Sequence, residues 1–426
     1  MTERFDTVTI SDLMAESGVS FGTSGARGLA DAMSDRVCYI YTVGFLQFLE
    51  KAGAIHPGDR VVIAGDYRPS TERIMTAASV AVSDLGYEPV NAGRIPTPAL
   101  AAYAMGDGVA SLMVTGSHIP DDRNGIKFYK PDGEVLKSDE AGIAAQQVSV
   151  PLHLFSAEGR FVEAHTLPPE DHTGQRRYLS RFLDFFPAAC LAGTRVLVYE
   201  HSSVAAASLT EVFGGLGADV VRRGYSDEFI PVDTEAVRPE DVELAAGWAA
   251  REHFDLIVST DGDGDRPLVG DEQGQWLRGD IAGVLTAHYL DAEVVVTPVS
   301  SNTAVEKCGW FNSVQRTRIG SPYVIDAMQK AEAEGAASVV GYEANGGFLQ
   351  QTAISADGRE LAPLATRDAV IVAVCILLLA RRRGLPVSQL ASALPQRYTA
   401  SDRLKAFPTQ VSAENIAALI ETPSLV

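Results

Sequence analysis

Leu256-Ile257-Val258-Ser259-Thr260-Asp261-Gly262-Asp263-Gly264-Asp265-Arg266 runs from a short apolar, β-branched segment straight into a loop of alternating carboxylates and glycines. A run this short, closed by glycine, reads as a buried strand rather than a helix. The pattern recurs on both sides. Val61-Val62-Ile63-Ala64 enters Gly65-Asp66-Tyr67-Arg68, and Ser111-Leu112-Met113-Val114 enters Thr115-Gly116-Ser117-His118. Val196-Leu197-Val198-Tyr199 enters Glu200-His201-Ser202-Ser203 and pairs in the same way with the opening stretch. Val294-Val295-Val296 enters Thr297-Pro298-Val299-Ser300, and Ser338-Val339-Val340 enters Gly341-Tyr342-Glu343-Ala344-Asn345-Gly346-Gly347. Helical patterns separate these runs, as in βαβ units. In open α/β sheets the loops at strand carboxyl ends form the ligand crevice, so a threefold α/β repeat with its chemistry on equivalent loops is the economical reading.

Composition sets the outer limits. The chain has 426 residues, 46% hydrophobic, with 38 glycines and 21% charged residues, enough to bury several cores between tight turns. A formal charge of −20 excludes nucleic acid and anionic membranes as main partners, and a small anionic substrate would need a local cluster of Arg and Lys. Cys38, Cys190, Cys308 and Cys375 are scattered without CxxC spacing, which predicts reduced thiols in a cytoplasmic protein. The charged N-terminus lacks the apolar core of a signal peptide. The most apolar run, Ala369 to Ala380, is too short to span a bilayer and predicts a buried helix ended by Arg381, Arg382 and Arg383.

Asp261, Asp263 and Asp265 predict a site for a hard divalent cation, because such ions take oxygen ligands and need only a few carboxylates. An EF-hand reading fails, although Glu272 stands at its twelfth position. Arg266 occupies the sixth position where glycine is needed, Pro267 follows, and a strand precedes the loop. A solvated acidic turn is disfavoured, since three close carboxylates repel one another without a counter-ion. Arg266 is suited to gripping a phosphate or carboxylate. Ser117 lies directly after a strand, but the hydrolase elbow needs glycine two residues before the serine, and here Gly116 is adjacent. Downstream, Asn124-Gly125 predicts the turn of a hairpin that carries Lys127. Phe21 to Gly28, with Thr23, Ser24 and Arg27, reads as an anion-cradling loop, and Glu343 has room to meet a polyol.

Four ordered pieces, FGTSGARG from Phe21, TGSHIPDDRNGIKFY from Thr115, DGDGDR from Asp261 and GYEANGG from Gly341, resemble the α-D-phosphohexomutase family over about residues 20 to 405. The resemblance implies an α/β chain of three related mixed-sheet α/β domains around a central cleft, plus the start of a fourth α+β domain. Residues 1–155 would carry the phosphoserine loop, 156–275 the metal-binding loop, 276–390 the sugar-binding loop, and 391–426 part of the fourth domain. Ser117 would match the phosphoserine and complete a Mg2+ site with Asp261, Asp263 and Asp265. Arg27, Lys127 and Arg266 would lie near the transferring phosphoryl group, and Glu343 and Asn345 would read the sugar. The implied activity is interconversion of hexose 6-phosphate and hexose 1-phosphate through a hexose 1,6-bisphosphate, most readily as a phosphomannomutase. Phosphoglucomutase and phosphoglucosamine mutase are the alternatives, and the partners are small hexose phosphates in a monomer or homodimer. Lys127, His118 and Arg27 are the candidates for proton transfer.

The match departs in three places. Ile119 stands where the family has asparagine, beside Gly116 for alanine, a change that reads as conservative. Asn345 takes a serine slot, and Gly347 replaces a histidine assigned acid–base duty. Ser401 to Pro408 resembles the opening of the last domain, but that domain's phosphate loop has no counterpart. The expectation is a fragment with an incomplete final domain and weakened substrate binding, each lost charge-assisted hydrogen bond costing about 1.5–3 kcal/mol. The competing class is a non-catalytic sugar-phosphate- or metal-binding remnant.

Overall fold

The computed structural model describes residues 5–22, 25–400 and 407–422. Three sheets share one plan. In the first, Arg60–Gly65 lies between Glu88–Gly93 and Ala110–Val114, parallel to both, and Arg123–Lys130 pairs antiparallel with Ala110–Val114. In the second, Arg195–His201 lies between Asp219–Tyr225 and Leu256–Thr260, with Pro267–Gly270 antiparallel at the far side. In the third, Val294–Pro298 lies between Ser313–Thr317 and Val339–Tyr342, with Phe348–Gln350 antiparallel. The repeat expected from the strand pairs is therefore present. Ala26–Leu29 and Ser20–Phe21 extend the first sheet alone.

The unequal spacing of the pairs has a local cause. The first crossover is the helix Thr71–Asp84 in the first unit and Ala206–Gly215 in the second, but it shrinks to Ala304–Lys307 in the third. The central strands are buried on both faces, which is why they read as continuous apolar runs: Val61, Val62, Val196, Leu197, Val295 and Val296 have no exposed surface.

The apolar run forms the helix Ala369–Arg383, and every residue from Ala369 to Ala380 is buried. Asp368 caps it by accepting from the Val370 and Ile371 amides, and Gly384, at φ 62°, ends it in the left-handed region that glycine enters without strain. No described helix is long and apolar enough to cross a membrane.

One expectation is corrected. Asn124 and Gly125 are not a turn but lie inside the strand Arg123–Lys130. The connection is residues 115–122, the serine loop itself. Gly125 serves close packing instead: an added Cβ would lie 2.7 Å from the Ala26 carbonyl oxygen and 3.0 Å from that of Thr115.

The units meet through buried polar contacts. Glu134, on the hairpin strand beside Arg123–Lys130, accepts from Thr366 Oγ1 at 2.6 Å and Ser321 Oγ at 3.0 Å. The Thr97 amide, at the start of a first-unit helix, donates to the Asp263 carbonyl at 2.9 Å. Tyr178 Oη donates to Asp368 Oδ1 at 2.7 Å. These bonds bring the third strand's loop of each sheet toward one point.

Candidate active site

Each of the three equivalent loops supplies charged or nucleophilic groups. Ser117 leaves the first sheet in the left-handed region, φ 57°, a conformation that strains a residue with a Cβ by about 1–3 kcal/mol. Its amide donates to Thr115 Oγ1 at 2.7 Å, and its hydroxyl donates to Asp261 Oδ2 at 2.7 Å. A serine hydroxyl from one unit thus touches the carboxylate cluster of the next.

Arg68, which the sequence reading quoted but did not assign, explains how the strained loop is held. A guanidinium has five N–H donors, and here each has a partner. Nε donates to Asp66 Oδ2 at 2.9 Å. Nη1 donates to the carbonyls of Pro120 at 2.6 Å and Arg123 at 3.0 Å. Nη2 donates to the carbonyls of Ser117 at 2.7 Å and Ile119 at 2.6 Å. The ring of Phe229, from the second unit, lies 4.1 Å from its Cζ. This corrects the reading of Gly116 as a conservative change, because a Cβ there would lie 2.6 Å from Arg68 Cζ. Arg68 and Asp66 side chains are fully buried. Arg68→Met is expected to cost about 3–5 kcal/mol by leaving Asp66 and four carbonyls without their donor. Urea unfolding measures it, and a loss below about 1 kcal/mol would contradict the assignment.

Asp261, Asp263 and Asp265 are fully buried, and one oxygen from each lies within 4.8 Å of the others. Lys127 Nζ donates to Asp263 Oδ2 at 2.6 Å and to Asp265 Oδ2 at 2.7 Å. Thr97 Oγ1 also donates to Asp263 Oδ2. Arg367 donates through Nε to Asp265 Oδ2 at 3.0 Å and through Nη1 to Glu343 Oε2 at 3.0 Å. Asp263 Oδ1 and Asp265 Oδ1, by contrast, are buried acceptors with no hydrogen-bond partner. Buried carboxylate oxygens call for a donor, an ordered water or a cation, and three carboxylates converging within 4.8 Å favour a cation. The aspartate cluster therefore fits a hard metal ion by its own geometry.

Charge follows the same division. Burial, then repulsion from Asp263 and Asp265, pushes the Asp261 carboxyl well above its ordinary range. Burial also opposes ionisation of Asp265, but Arg367, Lys127 and Arg266 overcome it and hold its carboxyl well below that range. For Lys127, burial is outweighed by Asp263 and Asp265, which raise its pKa and keep it protonated.

Of the other expected residues, Arg266 Nη1 donates to His118 Nδ1, which also lies 3.3 Å from Ser117 Oγ. Burial and the Arg266 guanidinium push His118 down to about 3, so its imidazole is neutral. The Arg27 guanidinium, on a strand paired on both sides, has no side-chain hydrogen bond or ion pair among the described residues; burial and then Arg266 lower its pKa. Glu343 is buried beside Arg367, while Asn345 shapes its loop, its Oδ1 accepting from the Gly347 amide at 2.9 Å. Thr234 Oγ1 of the second unit donates to the Asn345 carbonyl at 2.8 Å. Thr23 and Ser24 lie outside the described residues.

Arg68, Thr97 and Arg367 escaped sequence reasoning. Arg68 carried a signal, two residues past Asp66 at a strand end. Thr97 and Arg367 carried none, since Thr97 meets Asp263 and Arg367 meets Asp265 only across units.

Known proteins bear on this arrangement. Residues 18–149 match the model of phosphoglucomutase/phosphomannomutase alpha/beta/alpha domain I, and residues 278–398 match that of domain III. A curated phosphomannomutase of Salmonella muenchen is 41% identical over 401 residues, 94% of this chain and 80% of that protein. One from Sinorhizobium fredii (strain NBRC 101917 / NGR234) is 41% identical over 404 residues, 94% of this chain and 84% of its own length. The crystal structure of a phosphoglucomutase/phosphomannomutase family protein from Burkholderia thailandensis superposes with a TM-score of 0.67 at 19% identity, covering 88% of this chain and 79% of that one. Two domain models in their proper order, and relatives matched along most of their length, lead to one conclusion: the chain belongs to the phosphoglucomutase/phosphomannomutase family.

Proposed function

We propose that the chain is a phosphomannomutase, interconverting mannose 6-phosphate and mannose 1-phosphate through a phosphorylated Ser117 and a hexose 1,6-bisphosphate. The observation that carries this reading is the Ser117 hydroxyl, 2.7 Å from Asp261 Oδ2 at the edge of a buried carboxylate cluster with two orphaned oxygens. His118 Nδ1 lies 3.3 Å from the same hydroxyl but already accepts from Arg266, so the hydroxyl's nearest partner is the aspartate that would hold the cation.

Asp261, Asp263 and Asp265 would hold Mg2+, which when bound supplies charge neutralisation for phosphoryl transfer. A phosphoserine brings about −1.5 to −2 charges, so the dication and the phosphate together leave the balance of the buried cluster nearly unchanged. Lys127 orients Asp263 and Asp265 and, being held protonated, offers a positive charge to the transferring group. Arg27, its guanidinium unpaired among the described residues, and Arg266 are the cations available to the phosphoryl oxygens. Glu343, with Asn345 shaping its loop, would meet the sugar hydroxyls. The reaction is reversible: the sugar hydroxyl takes the phosphoryl from Ser117, and the bisphosphate, turned around, returns its other phosphoryl to the same oxygen. The domain parse of 1–155, 156–275, 276–390 and 391–426 accompanies this reading, one loop from each of the first three units serving transfer, metal and sugar.

The test is a Mg2+-dependent assay on mannose 6-phosphate, glucose 6-phosphate and glucosamine 6-phosphate. Turnover is expected to be highest with mannose 6-phosphate and to vanish on chelation. If none of the three is converted while all still bind, a sugar-phosphate-binding remnant is the better reading.

A further inference from the structure

Arg367 reaches two loops at once. Its Nε and Nη2 lie 3.0 and 2.8 Å from Asp265 Oδ2, and its Nη1 lies 3.0 Å from Glu343 Oε2. The side chain is 3% exposed, so the three charges form one buried group spanning the aspartate loop and the candidate sugar loop. Both neighbours of Arg367 are pinned. Thr366 Oγ1 donates to Glu134 Oε1 at 2.6 Å, and the Asp368 carboxylate caps the buried helix. The backbone beneath Arg367 therefore has little freedom to slide.

Its path also has a strict clearance. The side chain crosses Gly347, where an added Cβ would lie 2.4 Å from Arg367 Cδ and 2.8 Å from Cγ. Gly347 is not in the left-handed region, so nothing in its own backbone demands glycine. What demands it first is the arginine, with Asn345 Oδ1 a looser contact at 3.0 Å. The absence of a side chain at 347 and the presence of a long cation at 367 are two halves of one arrangement.

We propose that Arg367 is a positioning residue: it fixes Glu343 toward the sugar and Asp265 toward the cation as one unit, and Gly347 is the clearance it requires. The inference rests on the mutase reading for the role of Glu343. One charge-assisted bridge joins sugar recognition to the loop that serves phosphoryl transfer. Arg367 and Lys127 both take Asp265 Oδ2, so the oxygen left toward a cation is Oδ1, which accepts no hydrogen bond and lies 3.9 Å from Arg266 Nε.

Three variants test it in the full chain. Arg367→Lys keeps the charge but offers one nitrogen where the guanidinium uses three, so the fixed fork between Asp265 and Glu343 is lost. It is expected to raise KM for mannose 6-phosphate by roughly tenfold or more, the worth of one charge-assisted hydrogen bond. Its preference for mannose 6-phosphate over the 4-deoxy analogue should collapse, while intact mass still shows phosphorylated serine. Gly347→Ala should reproduce the KM effect and lower the melting temperature. Arg367→Ala removes the colliding carbons, so adding Gly347→Ala in that background should change the melting temperature little. Independent, additive melting shifts, a Gly347→Ala enzyme with wild-type KM, or retained discrimination in Arg367→Lys would each overturn the proposal. The melting cycle needs no turnover, so an inactive wild-type chain would count against the mutase reading alone.

Discussion

Ser117→Ala is expected to leave the chain without covalent phosphate and to lower turnover at least about a thousandfold, as removal of a covalent nucleophile generally does. The loss should be almost purely chemical. The Ser117 side chain makes its hydrogen bond to Asp261 Oδ2, whereas the loop is held by its backbone, through the Ser117 carbonyl on Arg68 and the Ser117 amide on Thr115. Alanine carries the same Cβ in the same left-handed conformation, so the strain at φ 57° is no greater than in the parent. Melting temperature should therefore fall only by the cost of the one donor lost at Asp261 Oδ2, about 1–3 kcal/mol, while intact mass shows no phosphorylated form. An alanine variant that is unphosphorylated and still fully active would remove the covalent mechanism.

Lys127→Met should cost stability and turnover together. Lys127 is buried and donates to two buried carboxylates, at 2.6 and 2.7 Å. Breaking a buried ion pair from one side typically costs about 3–5 kcal/mol, because the stranded charge loses more than the pair contributed. Turnover should fall to background as well. The sign of a second readout is opposite: with one cation gone, the aspartates attract a divalent ion more strongly, so added Mg2+ should raise the melting temperature of the variant more than that of the parent. The acid side of the stability profile should also change. A carboxyl held below its unfolded value stabilises the fold above the ordinary carboxylate range, and that contribution is lost as pH falls through the folded value. Asp265 is such a group, held low against burial by Arg367, Lys127 and Arg266. Removing Lys127 raises its folded value, so this contribution should shrink and disappear at a higher pH than in the parent. Equal Mg2+ responses in the two proteins would argue against a cation at these aspartates.

The strands and their loops were legible because they depend on neighbours in the chain. A run such as Leu256 to Thr260 is buried on both faces, and the glycines of Asp261 to Asp265 follow directly, so composition within about ten residues suffices. Ser117, the three aspartates and Glu343 were found by the same rule, each standing just past the third strand of its sheet. Where local reading failed, the cause was packing. Asn124-Gly125 has turn chemistry, yet strand pairing with Ala26–Leu29 and Ala110–Val114 took both residues into the sheet. Gly116 looked interchangeable with alanine until the guanidinium of Arg68 was found against it.

Thus the threefold strand-and-loop plan, the candidate nucleophile and the carboxylates that could hold a cation are legible in the sequence alone, since alternation of apolar runs with polar, glycine-rich turns is a local property. Only the tertiary structure decided how those charges are balanced. Lys127 finds Asp263 136 residues away, and Arg367 finds Asp265 102 residues away. Which carboxylate oxygens are neutralised, and which are left for a cation, is set by pairing in a buried, low-dielectric centre that no stretch of sequence contains.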